Sequence, residues 1–251
     1  GVTGATLADG QAVGTITNDD AGLVSIARVA TGGLVDDIDD DNGQPVLGKD
    51  DYALLLLDTA QAVCERAQAP TIVGVDGVEN KAVLEELAEA ANALCARKPK
   101  YAAVFNDGQG SDGLGFLVDM ADDKHLEGVN VIDARNLGEN AKVSTLTVMA
   151  SGHDQAMTVL LAREAASSKP RQANELDRYL VARRKLDADA RLVVLGASGL
   201  SGLVDVSARA RQAQKPVERI FVSQSLLDVF GASGVVLPGN TNDFPILQFR
   251  R

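Results

Sequence analysis

The chain has 251 residues, 45% of them hydrophobic and 24% charged, with a formal net charge of −11. That balance excludes a disordered polypeptide, and no apolar run approaches the roughly 20 residues needed to span a bilayer. It also argues against a protein that grips phosphodiester backbones, because such proteins gain affinity from a basic surface and counterion release. The length suits one large domain or one domain plus a fragment, and a start at Gly1, without a methionine or signal-like apolar segment, is expected of a piece processed or excised from something longer.

Residues 5–20, ATLADGQAVGTITNDD, alternate in polarity and stop at Asp19 and Asp20. The phrase GTITNDD resembles the closing strand of a Calx-β module, a calcium-binding β-sandwich. That resemblance covers about the first 20 residues and implies calcium ligation by Asp19 and Asp20 only if the rest of the module lies upstream. The alternative is a linker strand lying on the main domain. Residues 1–22 are therefore read as the end of such a module or a linker, and 23–251 as the main domain.

Leu23 to Ala30 opens that domain as a β-rich run and leads into Thr31-Gly32-Gly33. Asp36, Asp37, Asp39, Asp40 and Asp41 follow. Asp37, Asp39 and Asp41 have the alternate spacing of a calcium loop, but Asn42 stands where an EF-hand needs glycine, and a solvated turn is the preferred reading. Tyr52 to Ala67 predicts a helix with Ala53, Leu56, Leu57, Ala60, Val63, Cys64 and Ala67 on its apolar face and Asp50 or Asp51 as cap. Thr71 to Val75 predicts a strand. Asn80 then caps a helix that buries Leu84, Leu87, Ala88, Ala91, Leu94 and Cys95. Cys64 and Cys95 lack the number and spacing of a zinc site, and a free pair is favoured over a disulfide.

Strands are expected at 101–105, 115–118, 129–133, 145–149, 192–195, 219–222 and 235–237, and helices at 154–167 and 172–186. Several of these strands lie only a loop apart, which calls for a mixed sheet rather than an all-parallel one. Gly196, Gly199 and Gly202 in RLVVLGASGLSG fit a G-x-x-G-x-x-G dinucleotide turn. A lone glycine pattern is weak, and the following strand ends in Ser223-Gln224-Ser225 instead of the acidic residue such a fold requires. Arg163, Arg171, Arg178, Arg183 and Arg184 are candidates for a local basic patch, with the solvated side of helices the preferred reading.

With the elements in order, residues 69–94, APTIVGVDGVENKAVLEELAEAANAL, resemble a segment of the endonuclease/exonuclease/phosphatase family, which runs D-V-I-G-L-Q-E-V-E-N into A-V-L-x-x-L and a helix. YAAVFNDGQGSDGLGFLVD, RQANELDRYL with ADARLVVLG, VERIFVSQSL and NTNDFPI resemble further family segments in the family order. Together they cover roughly Leu23 to the C-terminus. The resemblance implies an α/β (α+β sandwich) class: two packed mixed β-sheets flanked by helices, deoxyribonuclease I-like, after an N-terminal β segment. It also implies metal-dependent phosphodiesterase or nuclease chemistry, in which a glutamate and an asparagine hold a divalent cation while a histidine-aspartate pair and an Asp-x-Asn turn activate the attacking water.

Carried over residue by residue, that chemistry fails. The first asparagine falls on or near Gly32 and the metal glutamate on Gly77, preceded by Asp76; the histidine falls about Ser151 or Gly152. The Asp-x-Asn positions become Ala197 and Gly199, the Asp-His pair becomes Glu218 and Arg219, and the terminal Ser-Asp-His is missing from PILQFRR. The expectation is a catalytically inactive phosphodiesterase-like domain of an exported or cell-surface bacterial protein, with a structural or interaction role beside other domains or subunits. The alternative is an active, magnesium-dependent enzyme with a displaced site drawn from Asp76, Glu79, Asp107, Asp112, His153 and Asp243. No cofactor is expected for the inactive domain beyond calcium at the aspartates named above.

Overall fold

The computed structural model describes residues 24–36, 38, 46–105, 113–121, 128–137, 143–150, 156–163, 170–197, 200–206, 220–230 and 246–249. They form two mixed β-sheets packed face to face with helices outside, as the sequence leads one to expect. The first sheet orders its strands β11 (Ile246–Phe249), β1 (Val24–Leu34), β2 (Ile72–Val78), β4 (Gly113–Asp119) and β3 (Tyr101–Phe105). The second orders them β5 (Val129–Asn136), β6 (Val143–Ala150), β7 (Met157–Ala162), β8 (Arg191–Leu195), β10 (Ile220–Val222) and β9 (Val204–Asp205). Each sheet holds one parallel pair, β1 with β2 and β7 with β8, among antiparallel neighbours.

Helices supply the crossovers that parallel pairs require. Helix α1 (Lys49–Gln61), continued by a π-helical turn at Ala62–Arg66, joins β1 to β2; α2 (Lys81–Leu94) follows β2; and α3 (Pro170–Leu186) joins β7 to β8. A short α4 (Gln224–Phe230) follows β10. Alternation along each strand feeds two cores. Val24, Ile26, Ile72, Val159, Leu161, Val193 and Leu195 meet between the sheets. Their neighbours Val29, Val73 and Val75 pack under α1 and α2, and Leu160, Leu192 and Val194 pack under α3. Gly74 marks a close approach: a Cβ there would sit 3.0 Å from Leu161 Cδ1 and 3.1 Å from Leu195 Cδ1 of the opposite sheet.

Several expectations need correction. Residues 154–167, expected as a helix, contain strand β7 instead. Met157 to Ala162 is buried on both faces, so its sequence is apolar throughout and carries no period that distinguishes helix from strand. Helix α1 begins after Gly48, whose backbone is extended; Asp50 and Asp51 lie in the first turn, where they complement the helix dipole without capping it. Of the expected apolar face, Ala60, Val63 and Ala67 are buried and Leu56 and Cys64 pack partly buried against the same core, but Ala53 and Leu57 face solvent, and Tyr52 and Thr59 are buried instead. Four consecutive leucines put apolar groups on every side of that helix and blur the pattern. Asn80 does cap α2, accepting the Val83 N–H at 3.0 Å, but Leu94 is 39% exposed.

Cys64 and Cys95 are not a free pair. They form a disulfide with Cα atoms 4.8 Å apart. Cys64 lies in the π-helical turn and Cys95 directly follows α2, so the bridge ties the ends of the two helices that cover the first sheet. Helix periodicity placed both cysteines inward, but it carries no information on how the two helices pair in space. The strand expected at 235–237 lies outside the described residues.

Candidate functional site

Strand alternation also builds the site. The side chains of Val24 and Ile26 in β1 enter the inter-sheet core, and the next residue in that row is Arg28. In β2 the row runs Ile72, Gly74, Asp76; in β7 it runs Val159, Leu161 and then Arg163 just past the strand end. Each row thus changes from apolar to charged at the same end of the sandwich, where the parallel strands deliver their C-termini.

Those three side chains meet. Arg163 donates from Nε to Asp76 Oδ1 at 2.6 Å, with Nη2 2.5 Å from the same oxygen, and Arg28 Nη2 contacts Asp76 Oδ2. The Asp76 side chain is only 6% exposed; Arg28 and Arg163 stand slightly further out, at 12% and 22%. A carboxylate gripped by two guanidiniums gains strong charge-assisted hydrogen bonds. It is poorly placed to hold a divalent cation. At about 5 Å and an effective dielectric constant of about 20, a +2 ion is repelled by each guanidinium by roughly 7 kcal/mol. Both Asp76 oxygens are, besides, already engaged by guanidinium N–H groups that a bound cation would have to displace.

Backbone geometry beside the cluster is equally specific. Thr31 Oγ1 donates toward the Gly77 carbonyl and accepts the N–H groups of Gly33 at 3.2 Å and Leu34 at 3.1 Å, which fixes an irregularity in the β1–β2 register. Gly77 has φ +91°, and a Cβ on it would lie 2.9 Å from Thr31 Oγ1, 3.1 Å from Gly33 N and 3.5 Å from Arg163 Nη2. A side chain at 77 is therefore strained by conformation and by space. Gly32, with φ +75°, has open space on its Cβ side.

Of the residues singled out by sequence, Gly32, Gly77, Asp76 and the end of β8 come to this end of the sandwich. Ala197, just after β8, is buried in the cluster beneath α3. Glu79 is buried, and its Oε2 accepts the Asp36 N–H at 3.0 Å while its own N–H bonds Leu34 O. Asp36 Oδ1 in turn accepts the Ile38 N–H at 2.7 Å, a side-chain turn of the kind aspartates form. Ser151, Gly152, His153, Gly199, Glu218, Arg219, Asp243, Asp107, Asp112, Asp19, Asp20, Asp37, Asp39 and Asp41 lie outside the described residues. Among the described residues no group of three or more His, Cys, Asp or Glu side chains is placed to hold a metal ion.

The glycines after β8 have local explanations that a dinucleotide turn does not need. A Cβ on Gly196 would lie 2.3 Å from Ala162 O and 2.9 Å from Arg28 Nε; one on Gly202 would lie 2.0 Å from Arg184 Nη1. Strand β8 also pairs antiparallel with β10, so it does not open a parallel βαβ unit. One arginine differs from expectation: Arg163 is not on a solvated helix face but largely buried on Asp76. Arg184 lies on α3 and makes exposed bonds to the carbonyls of Ser201 and Gly202 at 3.2 and 3.1 Å. Arg28 was missed in the sequence. The available signal was a charged residue in the inward row of an otherwise apolar strand.

No family profile and no curated protein sequence matches the chain. Solved structures do. The catalytic domain of human Nocturnin superposes with a TM-score of 0.53 at 12% identity, over 91% of this chain and 93% of that one. An endonuclease/exonuclease/phosphatase family protein from Bacteroides thetaiotaomicron gives 0.52 at 12%, over 90% and 98%.

The fold is the deoxyribonuclease I-like one of endonuclease/exonuclease/phosphatase proteins.

TDP2 from Caenorhabditis elegans shares it with a TM-score of 0.54 at 12% identity, and there the match covers 83% of this chain but 66% of the TDP2 chain. Gly77, where the resemblance in sequence led one to expect a metal glutamate, lies next to Asp76, which is bound by two arginines. None of the described helices is long and apolar enough to cross a membrane.

Proposed function

We propose that residues 23–251 are a catalytically inactive phosphodiesterase-like domain with a structural or interaction role in an exported or cell-surface assembly. The observation that carries this reading is the Arg28–Asp76–Arg163 cluster beside Gly77. Where the fold's chemistry calls for carboxylates around a cation, this chain presents a glycine with no room for a side chain and a carboxylate already neutralised by guanidiniums. Glu79, a residue of the displaced-site alternative, is engaged by backbone. The Cys64–Cys95 disulfide supports export, because such bridges persist in oxidising compartments. In the same reading, residues 1–22 belong to an adjoining Calx-β-like module or linker, and calcium at the flanking aspartates serves that module rather than catalysis.

The test is direct. Purified protein is incubated with magnesium, manganese or calcium and with duplex DNA, single-stranded DNA, RNA or bis(p-nitrophenyl) phosphate. No cleavage above a heat-killed control is expected. Hydrolysis that EDTA abolishes would overturn the reading.

A further inference from the structure

We propose that the outer face of α1 docks on the outer face of α3 of a second copy of this chain, linking copies head to tail. The proposal goes beyond the inactive reading by naming a partner, and it uses no residue around Asp76, so either can fail without the other.

Each helix carries a second stripe turned away from the core it covers. In α1 the buried side chains are Tyr52, Thr59 and Ala60, whereas Asp50, Ala53, Leu54, Leu57, Asp58 and Gln61 are all exposed. Their spacing of i, i+3, i+4, i+7, i+8 and i+11 places them in one row along the helix. In α3, Leu176 and Leu180 enter the core, and Arg178, Val181, Ala182, Lys185 and Leu186 repeat that spacing on the exposed side. Leu54 is 65% exposed and Leu186 83%. Exposed apolar residues scattered singly need no explanation, but two stripes of the same period are a different case.

The stripes are opposite in charge. Helix α1 carries three aspartates and one lysine, a sum of −2, with Asp50 and Asp58 on either side of its exposed leucines. Residues 176–186 carry Arg178, Arg183, Arg184 and Lys185 against Asp177, a sum of +3 in a chain of net charge −11. Arg184 bonds the Ser201 and Gly202 carbonyls, so the cations of the stripe itself are Arg178 and Lys185. Asp58 contacts Arg66 at 3.4 Å, yet its side chain is 69% exposed and can accept a second cation. Two copies of α1 would set aspartate against aspartate, and two of α3 cation against cation, so charge selects the mixed contact.

Helix α1 packs outside the first sheet and α3 outside the second, so within one chain the stripes lie on opposite sides of the sandwich and cannot meet. The contact is heterologous, and its repetition gives a ring or an open row of copies. The stripes run about 17 and about 12 Å along their helices, so the contact is smaller than the roughly 1,200 Å² of a standard interface, and weak association is expected.

The experiment is sedimentation equilibrium of the full chain from about 10 μM to about 1 mM. The mass should rise with concentration past that of a dimer. Asp50→Lys with Asp58→Lys in α1, or Arg178→Glu with Lys185→Glu in α3, should each weaken association by roughly tenfold or more. A chain carrying both pairs of swaps should recover it, which loss of fold or of net charge alone would not produce. Leu54→Gln and Val181→Gln, which change no charge, should also weaken association and decide the matter if a swapped chain fails to fold. A chain that stays monomeric throughout, whether another of its segments covers a stripe or no copy is attracted, overturns the proposal. Association that stops at a dimer, that only one of the two swaps weakens, or that the combined swaps fail to restore overturns it as well.

Discussion

Removing the Cys64–Cys95 bridge should cost a large part of the domain's stability. The bridge closes a chain segment with a sequence separation of 31, which includes β2 and α2, and its ends lie in the π-helical turn and directly after α2. In the chain-entropy treatment, constraining a loop of that length removes about 12 cal/mol/K from the unfolded ensemble, or about 3.7 kcal/mol at 25 °C. Cys95 is fully buried, so replacement by alanine adds a small loss of packing to that figure. The assay is urea unfolding of the oxidised protein, of the protein reduced with a phosphine, and of the Cys64→Ala/Cys95→Ala double variant. Both perturbed forms should be less stable by about 3 to 4 kcal/mol. A loss below about 1 kcal/mol would refute the reasoning, as would alkylation of two free thiols in folded, unreduced protein.

Two further outcomes test the site and the core. Gly77→Glu, which supplies the glutamate that the resemblance in sequence implies, should produce no phosphodiesterase activity if the proposed inactive reading holds. It should also destabilise the protein by roughly 2 kcal/mol or more, because the residue has φ +91° and its Cβ would meet Thr31 Oγ1 at 2.9 Å. Activity in that variant would show that the site lacks only its glutamate. The Tyr101 hydroxyl donates to Pro70 O at 2.6 Å; burial first, and the Asp119 carboxylate second, push its ionisation far above the usual phenol range, while Arg97 acts in the opposite direction. The folded state therefore holds this proton after the unfolded chain has released it near pH ~10. The resulting stabilisation is complete below that pH and falls above it, by about 1.4 kcal/mol at pH 11. Tyr101→Phe should lower stability at neutral pH yet flatten the alkaline decline, and urea unfolding from pH 7 to 11 reads both.

Elements whose residues meet one core on one face were legible from sequence. Helix α2, with Leu84, Leu87, Ala88 and Ala91 on one side and Asn80 at its start, is such a case, whereas β8, with a core on each face, was legible only because turn residues limit its apolar run to strand length. Strand β7 was not legible, because a strand with a core on each face looks like any other apolar run. For the site, the sequence supplied an expectation of lost acidic and amide positions, of which the described residues include Gly32, Gly77 and Ala197. Gly77 could be read as a missing glutamate, but what took its place required three rows of alternation, in β1, β2 and β7, to be lined up at one end of the sandwich. Sequence separations of 48 between Arg28 and Asp76, and 87 between Asp76 and Arg163, hide that alignment. The disulfide was hidden for the same reason: periodicity sets a face, and pairing depends on how two faces meet.

The pairing of β1 with β11 has a consequence for synthesis. Val24 to Ala27 bond along one edge to residues 246–249, more than two hundred positions later in the chain. On a ribosome, β1 can pair with β2 as soon as β2 is made, but its other edge stays open until β11 emerges. An open edge on a central apolar strand is a template for pairing with other chains. The domain thus becomes safe from edge-to-edge association only once residues 246–249 have been made, when a four-residue strand caps β1.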